Sequence, residues 1–302
     1  EGSLGQVRQE RQYCAIRDCH EEYGYPIDTE CRILRVSRAA YYKWKSGHRS
    51  RRTIENERIA DLVEQIHSRE PDKGYRRIRD DLERFHNTPV NDKRVLRICR
   101  AKGIKSSIKY SNHSCTRQAS NPQYLAANIL KREFYADKPN EKWLTDVTEF
   151  KYYTGVEKHK LYLSAILDLY DRRIVSFVIG DTNDNALVYE TFDKAVTANP
   201  DAHPLFHSDR GFQYTNRTFH AKLEQAGMIQ SMSRVGKCID NGPMEGFWGI
   251  LKRERYYGKR FTSREALVTV IEDYITYYNT RRLQRGLGVL TPFEKHKLYF
   301  AA

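Results

Sequence analysis

The sequence predicts an α/β domain built on a mixed five-stranded sheet with flanking helices, preceded by an all-α region of small helical modules. Two observations carry that expectation. From Asn140 onward, runs rich in β-branched and aromatic residues alternate with amphipathic helical runs, whereas the residues before it show helical periodicity and turn signals alone. Charge divides at the same place. Residues 1–140 hold 29 Lys+Arg against 19 Asp+Glu, and the rest hold 23 against 20, so most of the net charge of +13 lies in front. A basic front half points to a polyanion such as DNA or RNA, the alternative being a merely soluble basic surface.

The front elements follow in order. Residues 4–22 read as a first helix. "TECRILRVSRAAYYKWKSG" (Thr29 to Gly47) reads helix, tight turn, helix, with Ser37 as the cap of the second. This is a helix-turn-helix silhouette, which a plain three-helix bundle shares. A basic connector, "KSGHRSRR", leads to an amphipathic helix marked by Ile59, Leu62, Val63 and Ile66. "YRRIRDDLERFH" is the next helix. "VNDKRVLRICRAKG" is the last, with Asn91 as N-cap and Gly103 just past its end. Its exposed face carries Lys93, Arg94, Arg97 and Arg100, expected to meet phosphates or base edges in a major groove. Residues 106–137 read as a basic linker with a short helix near Tyr124–Lys131. The expected boundaries are thus 1–50, 51–105, a linker at 106–137, and a catalytic domain over 138–302 that ends in a helix.

In the back half, "EKWLTDVTEFKYY", "KLYLSAILDLY" and "RRIVSFVIG" read as three strands. Helix "NALVYETFDKAVTA", strand "PLFHSD", helix "NRTFHAKLEQAG", strand "MIQSMSR" and a helix opening near Pro243 come next. The order β-β-β-α-β-α-β-α is the ribonuclease H-like layout: an antiparallel meander extended by parallel strands reached through helices.

That layout brings acids together. Asp146 lies inside the first strand and Asp209 at the end of the fourth, its neighbour at the sheet centre. The helix at Pro243, with Gly242 as cap, supplies Glu245 as its third residue, with thirty-five residues between it and Asp209. A first-turn glutamate stabilises a helix by only ~0.3–1 kcal/mol, so its bland reading is a helix-dipole partner. Three converging carboxylates suit different chemistry. Two Mg²⁺ ions roughly 3.5–4 Å apart hold the attacking and leaving oxygens of a phosphodiester, and Mg²⁺ takes hard oxygen ligands. Asp146 would bridge both ions, Asp209 and Glu245 would hold one each, and Mn²⁺ is expected to substitute. His207 and Thr148 share the faces of Asp209 and Asp146 by strand alternation and, with Asn241, are candidates to support the ligands; a satisfied core histidine is the competing reading of His207. Asp168 reads as structural support, and Tyr274, Tyr277 and Tyr278 as packing. Arg210, Arg281, Arg282 and Arg285 are candidate phosphate contacts.

These motifs resemble those of bacterial insertion-sequence transposases of the third numbered group, with a retroviral-integrase-type core. The family patterns W-x-T-D-x-T, H-S-D-R-G-x-Q-Y and D-N-x-P-M-E-x-F stand here as "WLTDVTEF" from Trp143, "HSDRGFQY" from His207 and "DNGPMEGF" from Asp240. The family places a basic residue seven after the glutamate, here Lys252, which two further helical turns put on the face of Glu245 and aim at bound DNA, and "KGYRRI" resembles its second helix-turn-helix module. Gln284 in "RLQRGLG", where histidine is common, and Phe212 depart from the pattern. The resemblance implies metal-dependent 3′-end cleavage and strand transfer on double-stranded terminal inverted repeats and target DNA. It also implies end-to-end joining into a circular intermediate and a homodimer or higher oligomer on paired ends. A hydrolytic nuclease of the same fold and a DNA-binding protein with an inactive core are the alternatives.

Other features bound the reading. No run of eighteen apolar residues exists, so no membrane span is expected. "EGSLGQVRQE" lacks a signal-peptide core, so a cytoplasmic protein is expected, nucleoid-associated when DNA-bound; it also lacks an initiator methionine, which leaves open whether an upstream segment is missing. Of six cysteines, none forms C-x-x-C. The spacing of Cys14, Cys19, His20 and Cys31 fits no common zinc pattern, so free thiols are expected.

Overall fold

Helical periodicity in the front third becomes six helices in a computed structural model that describes residues 4–47, 51–108, 122–235 and 238–301. The chain divides into two compact units, residues 1–106 and 107–302. In the first unit, α1 (Leu4–Tyr23), α2 (Ile27–Ile33) and α3 (Arg38–Lys45) close on Tyr13, Ile16, Cys31 and Tyr41. Ser37 takes the N-cap position of α3, but its hydroxyl makes no capping bond. The next three helices, α4 (Arg51–Arg69), α5 (Tyr75–His86) and α6 (Asp92–Ala101), close on Ile59, Val63, Ile78, Leu82, Val95 and Ile98. Asn91 caps α6 as expected, its Oδ1 accepting from the amides of Lys93 and Arg94. Gly103 follows at φ +67°, a conformation that costs side-chain-bearing residues about 1 kcal/mol or more.

Lys73 and Arg77 of the "KGYRRI" stretch, and Arg79 just after it, are used inward. Lys73 is buried and ion-paired with Glu70 and Asp81; Arg77 reaches Asp72 at 3.3 Å and Arg79 reaches Asp80 at 3.1 Å. Arg79 Nε also donates to the Val90 carbonyl, spanning the turn between α5 and α6. The charges of this motif therefore fix the turn geometry of the module.

In the second unit a five-stranded sheet runs β3-β2-β1-β4-β5. Strands β1 (Lys142–Thr154), β2 (Glu157–Asp168) and β3 (Ile174–Gly180) form an antiparallel meander. Strand β4 (Leu205–Ser208) pairs parallel with β1, reached through α7 (Asn185–Ala198). Strand β5 (Ile229–Met232) pairs parallel with β4 through α8 (Arg217–Gln225). One sheet face packs Trp143, Ile166 and Phe206 against α7 and α8. The other packs Leu144, Phe150 and Leu163 against α9 (Gly242–Leu251) and α10 (Arg264–Thr280). A helix α11 (Pro292–Phe300), closed by a Thr291–Glu294 capping box, ends the described chain.

Three expectations are corrected here. First, α9 starts one residue early: Asn241 is its N-cap, Pro243 lies in its first turn, and Glu245 is its fourth residue. Second, α9 does not continue as α-helix past Leu251. Residues Lys252–Tyr256 form a π-turn that holds both Lys252 and Glu254 inward. Third, the short helix near Tyr124–Lys131 is absent. Those residues have no regular structure, and their amides find partners elsewhere in the fold. Tyr124 N donates to the Thr215 carbonyl, and Ile129 N and Leu130 N both donate to Ser231 Oγ. Leu130 and Ala126 drop into the two cores. No described helix is long and apolar enough to cross a membrane.

Candidate active site

The parallel pairing of β1 and β4 sets the site. Leu144 pairs with His207, so Asp146 and Asp209, each two residues further on, lie side by side at the ends of this pairing. Helix α9 packs on the same side of β1 through Met244, Phe247 and Leu251, bringing Glu245 to the two aspartates. The electrostatics record the meeting. Burial pushes the Asp146 carboxyl up to about 8, and the Asp209 and Glu245 charges push the same way. Asp209 is also raised, chiefly by burial, with the Glu245 charge adding and the Gly211 amide opposing.

Each aspartate is held by a donor. Asp146 Oδ1 accepts from the Val147 amide at 2.8 Å, and its Oδ2 accepts from the Trp248 indole N–H at 3.0 Å. Asp209 Oδ1 accepts from the Gly211 amide at 2.8 Å. A Cβ on Gly211 would stand 3.0 Å from both Asp209 Oδ1 and Gln213 Oε1, so this tight approach favours glycine in "HSDRGFQY". Asn241 Nδ2 donates to the Thr145 carbonyl, pinning the start of α9 to β1 beside Asp146. Thr148 is buried on the Asp146 face.

His207 is the satisfied core histidine of the two readings. It is fully buried, with Nδ1 2.9 Å from Ser231 Oγ and Nε2 3.1 Å from Ser233 Oγ. Ser231 Oγ already accepts the Ile129 and Leu130 amides, so its proton goes to Nδ1, and Nε2 carries the ring proton toward Ser233. Burial lowers His207 to about 4. Its contribution to stability is therefore present above the unfolded value near 6.5 and is lost as pH falls toward 4, up to about 3 kcal/mol. His207→Gln is expected to destabilise the protein at pH 7.5, and the gap from wild type should narrow by pH 5. Urea melts at the two pH values measure it, and a gap that stays constant would contradict a neutral buried imidazole.

Sequence reasoning missed Asp240. Its buried carboxylate receives Arg234 through N, Nε and Nη2, Arg132 Nε at 2.6 Å and Asn128 Nδ2 at 3.0 Å. Arg234 and Arg132 hold it well below the usual carboxylate range. Standing just before the α9 cap, it clasps the segment ahead of β1 and the loop after β5. The available signal was its place in "DNGPMEGF", five residues before Glu245. Asp168 is structural, as read: it accepts the amides of Asn140 and Tyr170. Among the described residues, no three His, Cys, Asp or Glu side chains are gathered to metal-holding distance, around Cys14 and Cys31 or at the three acids. The acids sense one another without closing into a ready cage.

The expected DNA contacts divide. Lys93, Arg97 and Arg100 are exposed along α6 at helical spacing. Arg94 is not a free contact: its Nε donates to Asn56 and its guanidinium pairs with Glu55, tying α6 to α4. Arg281 is exposed, but Arg282 is part-buried and paired with the buried Glu254. Arg210 Nε donates to the Ser233 carbonyl beside Asp209. Lys252, expected to face DNA along the continued helix, is 9% exposed, with its ammonium 5.1 Å from the Phe150 ring centroid on the Asp146 side of β1. Tyr274 and Tyr278 pack in the core.

A sheet of this order with acids on adjacent central strands and on the helix behind them defines an integrase-type core, and the comparisons agree. The family described as Integrase core domain matches residues 136–238, a second of the same description matches 245–298, and an HTH-like domain matches 55–111. The chain belongs to the IS3 family of insertion-sequence transposases and is a DNA transposase. It is 35% identical over 275 residues to the putative transposase InsK of element IS150 from Escherichia coli, covering 89% of this chain and 93% of that one. It is 31% identical to the transposase InsF of IS3A from the same organism, covering 91% and 96%. Among solved structures, the HTLV-2 integrase catalytic core in complex with magnesium (trimeric form) aligns with a TM-score of 0.42 at 17% identity, over 53% of this chain and 99% of that chain.

Proposed function

We propose that this transposase cleaves the ends of an insertion sequence to free a 3′-OH, which then attacks a second phosphodiester, with Asp146, Asp209 and Glu245 as the acids of the site. The observation that carries the reading is the convergence of three carboxylates, two of them raised by burial and by acidic neighbours. Such a set lacks positive charge, and the hard oxygens of two aspartates and a glutamate fit Mg²⁺ or Mn²⁺. Asp146, which senses both other acids, would share two ions; Asp209 and Glu245 would hold one each. Bound there, the cations stabilise the attacking and leaving oxygens of the in-line displacement. The chain's own part is to hold the carboxylates: β1 and β4 fix the aspartates, and the Asn241 and Trp248 bonds seat α9.

The helical module at 51–105 would grip the terminal repeat through Lys93, Arg97 and Arg100. Arg281, Arg210 and Lys252 would serve DNA nearer the acids, and two or more copies would hold paired ends. Triple replacement of Lys93, Arg97 and Arg100 by Ala should flatten the log–log salt dependence of duplex binding by about 0.9 per lost phosphate contact. Arg94→Ala should leave that slope unchanged; anisotropy titrations at several salt concentrations read both. The deciding experiment for the reaction incubates the full chain with terminal-repeat duplex and Mg²⁺. Joined strands that vanish with EDTA support transposition chemistry. Nicking without joining favours a hydrolytic nuclease, and no metal-dependent product favours a DNA-binding protein with an inactive core.

A further inference from the structure

We infer that Trp248 is a positioning residue for the metal-holding acids, acting through the hydrogen bond from its indole N–H to Asp146. The inference rests on the proposed role of Asp146 and deepens it. The bond is 3.0 Å long and joins the element that carries Glu245 to the carboxylate on the central strand. Trp248 and Glu245 are three residues apart on α9, neighbours on the helix surface. One side chain thus sets both the rotation of the Asp146 carboxylate and the seat of the helix that presents Glu245.

The chemistry favours a donor there. A carboxylate oxygen has two lone pairs, so an N–H on one leaves the other for a cation. An indole donates and never accepts, so it neither competes as a ligand nor places a further anion beside acids already crowded by burial and like charge. The indole body is buried among Phe247, Leu251 and Leu144 in the core between α9 and the sheet, with its ring centroid 5.0 Å from that of Phe247. Packing therefore fixes the position of the N–H. The other side of Asp146 is occupied by the Val147 amide, so Trp248 is what holds Oδ2. Asn241, which binds the Thr145 carbonyl, seats the start of the same helix but does not touch the carboxylate.

A donor that orients a ligand from outside the metal shell is worth about ten- to a hundredfold in metal affinity. Trp248→Phe keeps an aromatic ring in the core and removes the N–H. Incorporating β-(3-benzothienyl)alanine at 248, which has the shape of tryptophan with sulfur in place of the N–H, separates the hydrogen bond from packing. The measurement is Mn²⁺ binding to the full chain, read from the free Mn²⁺ signal by electron paramagnetic resonance, with thermal melting of the metal-free protein alongside. Both variants are expected to weaken the tightest Mn²⁺ site at least tenfold, and the benzothienyl variant should melt within a few degrees of wild type. Unchanged Mn²⁺ affinity in the benzothienyl variant overturns the inference, as does a loss confined to the Phe variant and matched by a fall in its melting temperature. Asp146→Asn is measured in parallel. If it too binds Mn²⁺ like wild type, the assignment of Asp146 to the metal site is what fails; if it loses Mn²⁺ while the benzothienyl variant does not, only the role of Trp248 falls.

Discussion

Asp146→Asn, Asp209→Asn and Glu245→Gln are each expected to lower strand cleavage and joining by at least about a hundred- to a thousandfold, the scale of losing a main electrostatic element of an active site. Duplex binding should survive, since none of these changes removes a cation. The prediction carries an internal control against misfolding. Asp146 is raised to about 8 in the folded protein from an ordinary value near 3.8, chiefly by burial. A group raised on folding contributes most below its unfolded value, and that contribution drains away as pH rises through the folded one. Metal-free wild type should therefore lose stability between pH 4 and pH 8, and Asp146→Asn should lose less. The inactive variant would be the more stable one at pH 8. An Asp146→Asn protein that still joins strands with Mg²⁺ would remove that residue from the metal site; one that melts lower than wild type at pH 8 would refute the strained buried acid.

How much of this was legible depends on the range of the interaction. The strand carrying Asp146 was readable because alternation along "WLTDVTEF" is local, and the parallel neighbour carrying Asp209 followed from element order alone. Glu245 was placed by a proline and a helical period, both local signals. What stayed hidden was long-range and polar. The segment around Tyr124–Lys131 has enough helix formers to suggest a helix, but its amides are claimed by Ser231, about a hundred residues away. Arg94 sits on the exposed arc of α6 by period, yet Glu55 and Asn56 on α4 reach it. Asp240 gathers Asn128 and Arg132 from more than a hundred residues upstream, and no spacing rule connects them. Periodicity reports which way a side chain leaves its own element. It carries no record of which polar group from another element meets it there.

Arg282 is the sharpest case, and its replacement carries the second large expected effect. Near "TRRLQRG" it reads as a phosphate contact, yet its Nε and Nη2 donate to both oxygens of Glu254 at 2.9–3.3 Å. The two side chains are 12% and 4% exposed, and the Tyr274 hydroxyl donates to the same carboxylate at 2.9 Å. Glu254 lies in the π-turn after α9, and Arg282 just past the end of α10, so the pair ties the helix of Glu245 to α10. Arg282→Ala would take the bidentate partner from a buried carboxylate, and breaking such a pair from one side costs about 3–5 kcal/mol. Replacing both partners with Met removes the buried charge along with the arginine, so the double variant should recover most of the loss. A double-mutant cycle by urea denaturation of the full chain, following the transition of the catalytic unit, measures the coupling. A surface arginine that serves DNA would behave in the opposite way: stability unchanged on truncation, and a salt slope of duplex binding reduced by about 0.9. Finding that second pattern would return Arg282 to the DNA interface.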